Sequence, residues 1–134
     1  MLATTHTVLC VDDDPDDQQL VLDTIREIDS SVQVVTAPNG VEALNFLHNA
    51  RERNELPCLV LMDINMPLMD GKQALARIKK DRTLDGVNIV MFTTSSSKVD
   101  QAFCALHRVP FVTKPIHQRE LQDIVRRLLL ACAG

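Results

Sequence analysis

Aromatic side chains are scarce: Phe, Tyr and Trp make up 3% of the chain, with no Trp and no Tyr. That favours an aliphatic core over a stacking surface. A basic excess is missing too. Fourteen Lys and Arg face eighteen Asp and Glu, a formal net charge of −4, whereas nucleic-acid binding draws on clustered cations. No nucleic-acid partner is expected. No apolar run approaches the roughly 20 residues a membrane span requires, so no membrane partner is expected either. Met1 to Thr7 carry no Lys or Arg and do not read as a secretory signal, which makes the cytoplasm the expected location. The cysteines, Cys10, Cys58, Cys104 and Cys132, form no C-x-x-C pair and have no His at ligand spacing. They are expected to be structural free thiols. No repeat, low-complexity run or linker divides the 134 residues, which fit one domain, 1–134.

What is present is an alternation of short apolar runs with helical stripes. Val8 to Val11, Val32 to Val35, Cys58 to Met62, Val87 to Phe92 and Phe111 to Thr113 read as strands. Between them lie stripes such as Leu20, Val21, Thr24, Ile25 and Ile28, or Ala43, Leu44, Phe46, Leu47 and Ala50, at helical spacing. The last helix, from about Gln118 to Ala131, carries Leu121, Ile124, Val125 and Leu128 on one face. Asp14-Pro15 and Asn39-Gly40 open helices. Pro110 suggests that the fifth strand lies at an edge. Five strands alternating with five helices imply right-handed crossovers and a parallel α/β sheet.

The residues just past the strands carry the chemistry: Asp12 and Asp13 after the first, Asp63 after the third, Thr93 after the fourth and Lys114 after the fifth. In an open α/β sheet those positions share the carboxyl edge, where ligands bind. Asp and Lys are seldom buried without partners, and like carboxylates brought together need a counter-charge. A hard divalent cation with oxygen ligands suits them, and Mg²⁺ is the expected ion. An EF-hand reading of Asp12, Asp14 and Asp16 fails, because Asp17 stands where Gly is needed and Asp23 where Glu is. A carboxylate attacks a phosphoryl donor without a general base if charge on the transferring group is neutralised. Asp63 suits that role and Lys114 the counter-charge.

Val11-Asp12-Asp13-Asp14, Asp63 with Asn65-Met66-Pro67, Met69-Asp70-Gly71, Thr93, and Phe111-x-x-Lys114-Pro115 together resemble the receiver domain of bacterial two-component response regulators, in its stand-alone, CheY-like form. The resemblance implies a flavodoxin-like, doubly wound five-stranded parallel sheet of order 2-1-3-4-5 with helices on both faces. It implies a phosphoryl group accepted on Asp63 from a sensor histidine kinase or phosphotransfer protein. Mg²⁺ would be held by Asp13, Asp63 and the Asn65 backbone carbonyl, with Asp12 acting directly or through water. Lys114 would contact the phosphoryl group, and the Lys114-Pro115 bond would be cis. Thr93 and Phe111 would form the switch that presents a new surface to a downstream target protein. The charged tail of the second helix and the Thr93-to-Ser97 run resemble small receivers paired with phytochrome-type kinases.

The departures are Phe111 in place of the frequent Tyr, the run Leu106 to Pro110 in place of a small Gly-Ala pair, and Thr94 where a smaller residue is common. Taken singly, the acid triplet is an acidic helix start, Thr93 a cap, Lys114 a surface lysine and Phe111 core filler; only their combination points to a site. The competing class is an aspartate-nucleophile hydrolase of the phosphatase type. It needs an acid two residues after the nucleophile, and Asn65 stands there. The chain is therefore expected to act as a non-enzymatic module without an output domain. Leu128-Leu129-Leu130 is broader than one stripe requires, so the last helix is a candidate homodimer contact.

Overall fold

The computed structural model describes residues 5–133; the reading of the first four residues lies outside them. In chain order the elements are β1 (Thr5–Val11), α1 (Pro15–Ile28), β2 (Gln33–Ala37), α2 (Gly40–Glu52), β3 (Pro57–Met62), α3 (Gly71–Lys80), β4 (Ile89–Thr93), α4 (Lys98–Leu106), β5 (Phe111–Thr113) and α5 (Gln118–Leu128). Short 3-10 turns follow α3 (Arg82–Leu84) and α5 (Leu129–Cys132). The strands form one parallel sheet in the order β2-β1-β3-β4-β5, as expected, with β5 at an edge.

Local chemistry sets the helix starts. Asp14 Oδ1 accepts from the amides of Asp16 and Asp17 with Pro15 at the first helical position, and Asn39 accepts from the Glu42 amide. Asp70 and Gln73 form a reciprocal capping box on α3. Ser97 caps α4, so part of the hydroxyl run after β4 is spent on that helix.

Side chains alternate across the sheet. Leu9, Val11, Val60, Met62, Ile89 and Met91 join the buried stripes of α2 and α3, among them Leu47 and Leu75. Val8, Cys10, Leu59, Leu61, Val90 and Phe92 meet Val21 and Ile25 of α1 and Leu121 and Val125 of α5. Both faces are thus covered, and β3 and β4 are buried throughout. Burying each such aliphatic side chain contributes about 1.5–3 kcal/mol.

Two expectations are corrected. The peptide bonds of the described residues are all trans, Lys114-Pro115 included; Lys114 reaches its partners without the less favoured isomer. Cys58 and Cys132 are joined as a disulfide, whereas Cys10 and Cys104 are buried free thiols. The α5 end folds back over the start of β3, a juxtaposition invisible in cysteine spacing. In the Leu128–Leu130 run, Leu129 turns into the core and Leu130 is 69% exposed where the helix tightens to a 3-10 turn.

Candidate functional site

Backbone hydrogen bonds bring the strand ends to one level. The Asp12 amide donates to the Ala37 carbonyl (3.0 Å), the Asp63 amide to the Val11 carbonyl (2.9 Å) and the Lys114 amide to the Thr93 carbonyl (2.8 Å). Each is the ladder bond just beyond its strand, so Asp12, Asp63, Thr93 and Lys114 emerge at one carboxyl edge. From β1 the chain goes to β2 on one side and later to β3 on the other, so Asp12 and Asp63 flank the point where the strand order reverses.

Lys114 is the hub. Its Nζ donates to Asp12 Oδ2 at 2.6 Å, Asp17 Oδ2 at 2.9 Å and Asp63 Oδ2 at 3.0 Å. The side chain is only 10% exposed. Burial alone would lower its pKa, but hydrogen bonds to Asp12 and Asp17 and the Asp63 charge outweigh that and raise it. Burial pushes the Asp12 carboxyl up, against the lowering pull of Lys114 and of the Asp14 amide. Acids outnumber the base here, and the excess negative charge is what the site can offer to a cation.

Carboxylate oxygens of Asp12, Asp13 and Asp63 all lie within 4.8 Å of one another, with Asp13 exposed and the other two buried. An all-oxygen donor set of this charge fits a hard divalent cation and lacks the thiolate or imidazole that a softer metal prefers. The two Asp63 oxygens differ: Oδ1 accepts from the Ile64 amide (2.7 Å) and Oδ2 from Lys114.

The loop from Asp63 to Asp70 is held close to the sheet. The Gly71 amide donates to the Ile64 carbonyl (2.8 Å), and the Gly40 amide to the Met69 carbonyl (3.0 Å). A Cβ on Gly71 would overlap the Asp63 carbonyl oxygen and come 2.9 Å from Ile64 Cα. This close approach explains the glycine in Met69-Asp70-Gly71. Met69 N donates to Pro67 O at 2.7 Å across Leu68, whose φ is 67°.

Thr93 is fully buried, and its hydroxyl accepts from the Ser95 amide (3.2 Å) instead of meeting Asp63. Phe111 is half-buried at the rim of the cluster under α2 and α3. The Ser95 hydroxyl donates to Asp100 (2.7 Å), which Lys72 also reaches at 2.8 Å, so the loop after β4 is tied to α3 and α4. Sequence reasoning missed two contributors: Asp17, the third partner of Lys114, and Gln18, whose amide donates to the Asp12 and Ala37 carbonyls at 2.6 and 3.0 Å. Their only sequence signal is a place one turn into the helix that follows Asp12.

Residues 8–126 match the response regulator receiver domain family. The chain belongs to that family. Among relatives of the receiver is response regulator Rcp1 of Synechocystis sp., 30% identical over 122 residues, spanning 89% of this chain and 81% of that protein. The fold is similar to that of the phosphorylated cyanobacterial phytochrome response regulator RcpA, with a TM-score of 0.85 at 28% identity over 98% of each chain. It is also similar to the Mn²⁺-bound form of Rcp1, with a TM-score of 0.80 at 27% identity over 92% of this chain and 91% of that one. The protein is thus a receiver-domain response regulator of two-component signalling, the kind of domain that binds a divalent metal and pairs with histidine kinases. Among the described residues, no helix is long and apolar enough to cross a membrane.

Proposed function

We propose that Asp63 accepts a phosphoryl group from a sensor histidine kinase of the phytochrome-coupled type, or from a phosphotransfer protein, and that the aspartyl phosphate changes the surface offered to a downstream target protein. One observation carries this reading: the Lys114 ammonium lies 3.0 Å from an oxygen of Asp63, and the Asp63 carboxylate lies within 4.8 Å of those of Asp12 and Asp13. A covalent anion on Asp63 would find one cation already in contact and donors for a second beside it.

In the transfer, an Asp63 carboxylate oxygen forms the new P–O bond as the donor's N–P bond breaks and the imidazole leaves. Lys114 then exchanges one of its carboxylate partners for a phosphoryl oxygen, holding the added charge by a charge-assisted hydrogen bond. Asp12, Asp13, Asp63 and the Asn65 backbone carbonyl would hold Mg²⁺, which when bound neutralises charge on the phosphoryl oxygens. Thr93 would trade the Ser95 amide for the phosphoryl group, and Phe111 would turn inward behind it, so that a charge change repacks the surface near β5. Asn65 cannot protonate a leaving group, which favours a binding module over a hydrolase. Leu130, exposed beyond α5, would contribute to a homodimer contact.

Acetyl phosphate with Mg²⁺ is expected to add one hydroxylamine-sensitive phosphoryl group by intact mass, and Asp63→Asn to abolish it. Retention of that added mass in the variant would overturn the assignment. Sedimentation of both forms tests the dimer: a monomer in each removes it.

A further inference from the structure

Cys58 lies at the start of β3 and Cys132 at the end of the 3-10 turn beyond α5, yet these positions, 74 residues apart in sequence, are disulfide-bonded with a Cα separation of 5.1 Å. That spacing is ordinary for the bond. The pair sits just below the surface: Cys58 is 5% and Cys132 7% exposed, and the turn carrying Cys132 also carries the exposed Leu130 and Ala131. The fold accommodates the thiol form as well, because the Thr7 carbonyl oxygen lies 3.3 Å from Cys58 Sγ, ready to accept the thiol hydrogen. Among the described residues, Cys10 and Cys104 have no such partner, and both are buried. Leu121, Val125, Leu129, Cys132 and Cys58 share one apolar cluster, so in the reduced protein apolar packing still holds the end of α5 on the sheet.

We infer that Cys58 and Cys132 form a thiol–disulfide exchange site for small thiol–disulfide couples of the glutathione class, and that the bond straps the end of α5 to β3. In oxidation, one cysteine loses its proton and its thiolate attacks a sulfur of glutathione disulfide, releasing a first glutathione thiolate and leaving a mixed disulfide. The second cysteine, also deprotonated, attacks the protein sulfur of that mixed disulfide and releases the second glutathione thiolate. The two cysteines give up two protons and two electrons, and glutathione disulfide leaves as two thiols. Reduction reverses each step. Asp63 takes no part, being past the opposite end of β3.

The test uses the full chain, equilibrated in glutathione buffers from fully reduced to fully oxidised. Samples are acid-quenched, unfolded, alkylated with N-ethylmaleimide and weighed intact. The count of adducts is expected to fall from four to two in one transition, with Cys58 and Cys132 linked in the peptide map. Cys132→Ser, or Cys58→Ser should the first not fold, is expected to lose that transition. Amide exchange in the segment from Leu121 to Ala133 is expected to be about tenfold slower in the oxidised form. Four adducts at every poise, two adducts even in excess reduced glutathione, or a different linked pair would each overturn the exchange site. Equal amide exchange in the two forms would overturn the strap.

Discussion

Replacing Lys114 by Met keeps a side chain of similar reach and removes the charge shared by Asp12, Asp17 and Asp63. At the observed separations of 2.6, 2.9 and 3.0 Å, each charge pair is worth about 6 kcal/mol before desolvation at an effective dielectric of about 20. Those values do not add, and burial offsets much of them. The relevant quantity is what remains afterwards: Asp12 and Asp63, with side chains 7% and 10% exposed, would face each other without a cation, while the 39% exposed Asp17 turns to water. Stranding buried charge in this way costs about 3–5 kcal/mol, a large part of the roughly 5–15 kcal/mol that holds a domain together. Urea unfolding at neutral pH in the presence of a chelator measures it. Mg²⁺ should return part of the loss, because the same carboxylates then share a different cation. The loss should shrink in acid, as protons replace the lysine charge. It should also shrink at high pH: the Lys114 pKa is raised above its ordinary 10.5, so its stabilisation is complete below that value and fades as pH climbs through the folded-state value. A loss under about 1 kcal/mol in chelator, the range of an exposed ion pair, would refute the reasoning.

Asp12→Asn should act in the opposite sense. The carboxyl is pushed up chiefly by burial, so its charge works against folding above the folded-state pKa, and the effect fades as pH falls through that value towards 3.8. Without metal, the variant should be more stable at neutral pH and unchanged in acid, while binding divalent cations more weakly; a less stable variant contradicts this. Gly71→Ala should cost about 3 kcal/mol or more by overpacking and slow phosphoryl uptake, since the new methyl group meets the Asp63 backbone; unchanged melting and labelling rates would count against the close approach. Lys72 holds the Asp100 carboxyl below the usual range, with the Ser95 hydroxyl adding to it. Their stabilisation is therefore present above 3.8 and lost as pH falls through the lower folded-state value. Lys72→Met should lower the melting midpoint at neutral pH and leave it unchanged in acid; an equal drop at both would point to packing instead of charge.

Much of this architecture was legible from residue order. Uninterrupted apolar runs in β1, β3 and β4, helical stripes between them and the Asp14 cap are local properties that tertiary packing reinforced. The ligand-edge positions of Asp12, Asp63, Thr93 and Lys114 follow from the same logic, because a residue just past a parallel strand has nowhere else to emerge. Strand limits were less sharp: β2 and β4 run on to Ala37 and Thr93, where ladder bonds and not side-chain pattern decide the boundary.

Sequence by itself determined the alternation of strands and helices and the acidic edge at the strand ends, since each depends on neighbours a few positions away. Only the folded chain decided that Asp17 shares Lys114, that the Thr93 hydroxyl rests on the Ser95 amide, that Lys114-Pro115 stays trans and that Cys132 reaches Cys58. Those outcomes depend on distances between segments remote in sequence, which the packing of α1 and α5 on one sheet face sets and no local pattern encodes.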